Sequence, residues 1–278
     1  MRTLKFLLAA AAFGSAAIAA PPPSIPLAKP LTYADMADLA LASPVVAGVT
    51  IRDAVRLKGE QAAGVAAGMT RFYVAADVSV LIRGASGLPG AISYLVDVPL
   101  DARGRAPKLE KARVLLLAAP VPGRPGELRL ARPYAQLPWT DALEQRFRAI
   151  LTEANSAKPP PSVTGVGGAF HVPGSLPGES ETQIFLTTAS ARPVSLSILR
   201  RPDEQPSWAV ALGEMVDEAA EPPARDTLLW YRLACFLPQA LPASRTAELT
   251  PTDAQAAAED YRLVLTGLGP CARNYGPA

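Results

Sequence analysis

Two hydrophobic periods alternate along the chain and divide it into strands and helices. Thr32 reads as a helix N-cap with Asp35 three residues on, and Pro44 closes that first short helix. From Val46 the period becomes two. Val49, Ile51, Val55 and Leu57 alternate with Thr50, Arg52 and Arg56, the pattern of a half-buried strand. Phe72, Val74, Ala76, Val78, Val80 and Ile82 continue it over a strand long enough to bend and serve two faces. Ile92 to Leu100 follows a Gly87-Leu88-Pro89-Gly90 turn as a third strand. Val114-Leu115-Leu116-Leu117 is uniformly apolar, which predicts a strand buried on both sides, and Glu127 to Arg132 is a weaker fifth. Trp139, Leu143, Phe147, Ile150 and Leu151 then recur at helical spacing behind a Thr140 cap.

Beyond Asn155–Ser162 (NSAKPPPS) a second set of elements begins. Val163 to Val172 is a glycine-broken strand. Thr182 to Thr188, Val194 to Leu199 and Trp208 to Leu212 are clearer ones. Asp226 to Phe236 is apolar almost all round, as a buried helix should be. Thr250-Pro251 opens a last helix whose stripe is Ala254, Ala258, Tyr261, Leu265 and Leu268. The expected fold is therefore α+β and β-rich. Its N-terminal part is a small barrel or curved meander sheet, OB-like in one form, with a helix. Its C-terminal part is an antiparallel sheet with two or three packed helices. The expected organisation is a β-rich domain over 32–155, a proline linker over 156–162 and an α+β domain over 163–278. The alternative makes the proline segment a loop within one larger fold.

The first residues change the picture of where the chain resides. Arg2 and Lys5 precede an apolar run, and Ala17-Ile18-Ala19 supplies small residues for signal-peptidase cleavage after Ala19. A signal peptide over 1–19, a proline-rich leader over 20–31 and a periplasmic or secreted mature chain are expected. The apolar run is too short to span a bilayer, so no transmembrane segment is expected. The 27 basic and 25 acidic residues become equal once Arg2 and Lys5 leave with the signal. That neutrality argues against a nucleic-acid partner, which is gripped through a basic face. In an oxidising compartment the only two cysteines, Cys235 and Cys271, read as a disulfide. A catalytic thiol at Cys235 would need a base, and the chain has one histidine.

Candidate chemistry gathers between Phe170 and Leu186 (FHVPGSLPGESETQIFL). Strand parity sets Thr182, Ile184 and Leu186 on one face and Glu179, Glu181, Gln183 and Phe185 on the other. His171 would join the second set if the two strands pair as a hairpin. The candidate binding face is thus His171, Glu179, Glu181 and Gln183, able to hold a polar ligand or a metal ion or to do acid–base work. Ordinary solvation of a strand face accounts for the same carboxylates. Ser175 or Ser180 with His171 and a glutamate would make a hydrolase triad, but neither serine sits in a G-x-S-x-G elbow. Gly165-Val166-Gly167-Gly168 lacks the Gly-Lys-Ser/Thr of a phosphate loop. Two cysteines and one histidine cannot build a structural zinc site of the usual kind, and no metal or cofactor is expected. Arg200-Arg201 could grip a carboxylate, whereas Trp230 and Tyr231 read as core. The leading expectation is a non-catalytic binding or scaffold module of the bacterial cell envelope, its partner an envelope protein or polymer. The rival is an envelope hydrolase, or another enzyme, using the His171/Glu179/Glu181 region.

Overall fold

Five strands close a barrel at the N-terminal end of the chain. The structure is a computed structural model that describes residues 27, 29–84, 87–213 and 221–276. The expected signal peptide and most of the leader lie outside the described residues. β1 (Val45–Arg56), β2 (Met69–Arg83), β3 (Ala91–Pro99), β4 (Arg113–Pro120) and β5 (Glu127–Leu130) pair in the order β1-β2-β3-β5-β4. β4 returns to pair with β1, which closes the sheet. The β3–β5 pairing is parallel and the others are antiparallel. This is the Greek-key closure of an OB-like barrel, and it removes the exposed edges an open meander would carry.

Alternation builds the barrel interior as the pattern predicts. Ile51, Phe72, Val74, Tyr94, Val96 and Leu116 turn inward, and Leu109 from the β3–β4 connection joins them. Val55 departs from the expectation. The β1–β2 register shifts between Ile51 and Asp53, so the extra residue reverses the parity and leaves Val55 exposed beside Tyr73. β4 is buried on both sides, as its continuous apolar run implies. Leu116 enters the barrel, while Leu115 and Leu117 face outward into a second core.

That second core is a layer of helices. α1 (Tyr33–Ala42) starts at the Thr32–Asp35 capping box, and α2 (Asp141–Ala154) starts at Thr140. Met36, Leu39, Phe147 and Ile150 from these helices pack on Leu115, Leu117 and Leu137 of the barrel wall. Leu137 belongs to β6 (Gln136–Pro138), a short strand paired with β4 that the periodicity does not signal. Trp139 precedes α2 and does not belong to its stripe. Its ring occupies the space where a Cβ on Gly48 would stand, 2.1 Å from Cζ3. The Arg113 guanidinium covers the same ring at 3.9 Å from its centroid.

The remaining strands form an antiparallel meander. β7 (Val163–Pro173), β8 (Ser180–Thr188), β9 (Val194–Arg200) and β10 (Ser207–Ala211) lie in the order β10-β9-β8-β7. One face packs on α3 (Leu228–Ala234) and α4 (Pro251–Leu268), with Ile184, Leu196 and Ile198 against Tyr231, Tyr261 and Val264. The buried stripe of α4 is Ala257, Asp260, Tyr261, Val264 and Leu268. It is rotated from the expected one and includes an acid. The Cys235–Cys271 disulfide ties the end of α3 to the chain just beyond α4. The proline segment expected as a linker lies between α2 and β7. Helix α1 reaches both sides of it, since Ala34 and Ala37 join the core of the second sheet.

Candidate functional site

β7 and β8 pair as the expected hairpin, and their register decides where each candidate residue points. His171 stands directly opposite Thr182, Phe170 opposite Gln183 and Val172 opposite Glu181. Cross-strand partners share a face. His171 therefore lies on the inner, Thr182 face, and Glu181 and Gln183 lie on the outer one. The single histidine and these two candidates are not brought together.

What His171 meets instead is a buried polar chain that ties α4 to the sheet. Its Nδ1 is 2.8 Å from the Thr182 hydroxyl. Thr182 donates to Oδ2 of Asp260, whose other oxygen accepts from Arg200 Nε at 2.7 Å and Nη2 at 2.6 Å. The Thr182 proton is committed to the carboxylate, so His171 Nδ1 must donate to the Thr182 oxygen. Asp260 and Thr182 are inaccessible, and the imidazole is nearly so. Four polar groups satisfy one another, which is how a carboxylate can sit inside an apolar stripe. Arg200 thus does grip a carboxylate, whereas its neighbour Arg201 only approaches Glu204 at the surface.

Glu179 has a local task. Its carboxylate accepts from the backbone amides of Ser175 (3.0 Å) and Leu176 (3.3 Å) and so clamps the β7–β8 turn. Gly174 leaves room for this clamp, since a Cβ there would stand where the Glu179 side chain now lies. Neither Ser175 nor Ser180 bonds to His171 among the described residues, so the triad drawn from sequence is not assembled. An open cleft of about 360 Å³ runs beside this turn, lined by Ser180, Glu181, Leu199, Arg200 and Arg201 among others.

The outer face of this sheet is unlike ordinary solvated strand surface. Phe170 is 53% exposed, Phe185 47% and Val172 41%, with Leu199 beside them on β9. The register sets these side chains around Gln183 and Ser197, since Gln183 faces both Phe170 and Ser197. The Ser197 hydroxyl is buried and has no hydrogen-bond partner among the described residues. Gln183 Nε2 donates to Glu181 at 3.1 Å. Large flat hydrophobes with a few polar groups among them suit a protein or polymer surface.

A second buried acid cluster also escaped sequence reasoning. Asp38 on α1 accepts from the Tyr231 hydroxyl at 2.5 Å and from Arg273 Nε at 2.6 Å. Burial first, and then the bond to Asp38, push the Tyr231 phenol far above its ordinary range. Its own bond to Asp38 raises the Arg273 guanidinium. One turn earlier, Asp35 accepts from the backbone amides of Asn274 and Tyr275. The C-terminal tail is thereby fastened to the first helix. Acids three apart in an otherwise apolar helix (YADMADLALA) were the available signal. Trp230 and Tyr231 are core, as expected.

Comparison with known proteins adds no assignment: no family model matches the chain, and no curated protein is significantly similar to it. Among the described residues no three metal-ligating side chains converge, and no helix is long and apolar enough to cross a membrane.

Proposed function

We propose that this protein is an exported, non-catalytic binding module of the bacterial cell envelope, and that it docks a partner on the outer face of the C-terminal sheet. The observation that carries the reading is the exposed cluster of Phe170, Val172, Phe185 and Leu199 around Gln183. Clustered apolar side chains on a rigid sheet lose little entropy when covered, so they suit recognition of an envelope protein or polymer. The periplasmic or secreted location is supported by the signal-like first residues and by the intramolecular disulfide.

The test is a double variant, Phe170→Thr with Phe185→Thr, which keeps strand propensity while removing the apolar surface. The variant should retain its circular dichroism and cooperative unfolding. In envelope extracts it should run as the free chain under conditions where the parent protein runs in a larger assembly. Identical migration of folded variant and parent, assembled or free, counts against this face.

A further inference from the structure

Three arginines line one cleft whose walls offer them no counter-charge. The cleft, of about 310 Å³, opens where the barrel, the proline segment and the second sheet meet. Arg83 reaches it from the end of β2, Arg192 from the β8–β9 turn and Arg232 from α3. All three are half-buried. No carboxylate lines the cleft, and none of the three joins an ion pair among the described residues.

Each arginine keeps donors to spare. Arg83 Nη1 donates to the Ala40 carbonyl at 3.0 Å, and Arg192 Nη1 to the Pro159 carbonyl at 2.8 Å. These bonds fix the two side chains and leave most of each guanidinium fork unused. Of the Arg232 guanidinium only Nε is enclosed and unbonded, so its terminal nitrogens stay accessible at the cleft. Burial pushes this guanidinium down, as for a cation drawn from water without a partner. Glu153, next to Ala154 of the cleft wall, accepts from the backbone amide of Leu228 at 2.7 Å and pairs with none of the three. Even with Glu153 counted, three guanidiniums leave two positive charges in excess. Half-buried cations are ordinarily paired, so this excess is charge for an anion to match.

We infer that the cleft binds a phosphate monoester, its head held by Arg83, Arg192 and Arg232. Such a head carries about two negative charges at neutral pH and three terminal oxygens. The charge equals the excess, and the oxygens give each guanidinium an acceptor of its own. A carboxylate, with one charge and two oxygens, would satisfy neither. The cleft has room for more than the phosphate group, and Leu41 with the prolines at 159–161 forms an apolar wall for the organic part of the ester. The site is independent of the sheet face proposed above.

Two probes of similar shape separate the dianion from a mere oxyanion. Phenyl phosphate and benzenesulfonate both present three terminal oxygens on one ring and differ by about one charge. Each is titrated into the ¹⁵N-labelled protein. Phenyl phosphate should saturably shift the backbone amides of residues 190–192 and 228–232, and should bind roughly tenfold tighter than benzenesulfonate. Arg232→Met keeps the apolar stem and removes the enclosed Nε, so the fold should hold. It should bind phenyl phosphate at least roughly tenfold more weakly. Arg129→Gln removes a cation from a different cleft, on the barrel, and should leave the affinity unchanged. The inference is overturned by the absence of saturable shifts with phenyl phosphate, by equal binding of the two probes, or by unchanged affinity in the folded Arg232→Met protein. An equal loss in both variants overturns it as well, since that would report net charge and not this cleft.

Discussion

Asp260 shows how a single side chain is both a departure from the pattern and a determinant of the fold. It occupies a core position of α4 and is tolerated there because Thr182 and Arg200 supply donors while His171 braces Thr182. Asp260→Asn keeps the shape but removes the charge that Arg200 faces. We expect a loss of roughly 2–3 kcal/mol in urea unfolding, below the full cost of breaking a buried pair because the Arg200 side chain is 35% exposed. A loss under about 0.5 kcal/mol, the range of ordinary surface substitutions, would show that the chain of four groups does not hold α4. At this scale the sequence was least legible. His171 and Glu181 do lie on the paired strands of one hairpin, yet the faces they take are set by the turn over 174–179, which puts His171 opposite Thr182 and not opposite Glu181. The segment GSLPGE does not fix how many residues the turn takes, so parity could not be carried across it, whereas the β-bulges of β7 lie beyond His171 at 163–168.

Whole elements were more legible than their registers. Strands with clean alternation, such as β2 and β3, and helices with a Thr cap, such as α1 and α4, announce themselves because local chemistry and burial agree. β6 does not, since three residues ending in proline carry neither period. Trp139 matches the helical spacing of α2 but is recruited by the vacant side of Gly48, a long-range contact that no local pattern encodes. The helices also depend on a covalent tie. The Cys235–Cys271 bridge closes a loop with a sequence separation of 36, and the chain-entropy model assigns such a loop about 4 kcal/mol. Replacing both cysteines by serine should lower the unfolding free energy by up to that amount. It should also accelerate hydrogen exchange in α3 and in the tail beyond α4, while the barrel strands stay protected until global unfolding.

At the scale of the molecule, the barrel and the second sheet share the layer of helices, and the two chain ends are fastened together through Asp35, Asp38, Arg273 and Tyr275. Buried tyrosines give this arrangement a pH signature. Tyr94, Tyr231 and Tyr261 have phenols raised above the ordinary value of 10.0, with burial the largest cause for each. Below about pH 10 both folded and unfolded chains keep these protons, and their contribution to stability is constant. Above it the unfolded chain releases protons that the folded chain holds. Stability should then fall by about 1.4 kcal/mol per pH unit for each such tyrosine. Tyrosinate absorbance should correspondingly appear in two stages, the second coinciding with loss of the far-ultraviolet circular dichroism. A single stage with the fold intact would mean that these phenols are open to solvent.

Site-specific photo-crosslinking reads most directly whether the outer face of β7–β9 docks a partner. A benzophenone amino acid at Phe185 would sit on that face, and one at Asp77 on exposed barrel surface would serve as the comparison. Illumination of intact cells is predicted to give a discrete adduct from position 185 and none from position 77. The same adduct yield at both positions, or none at position 185, would show that this face docks no partner.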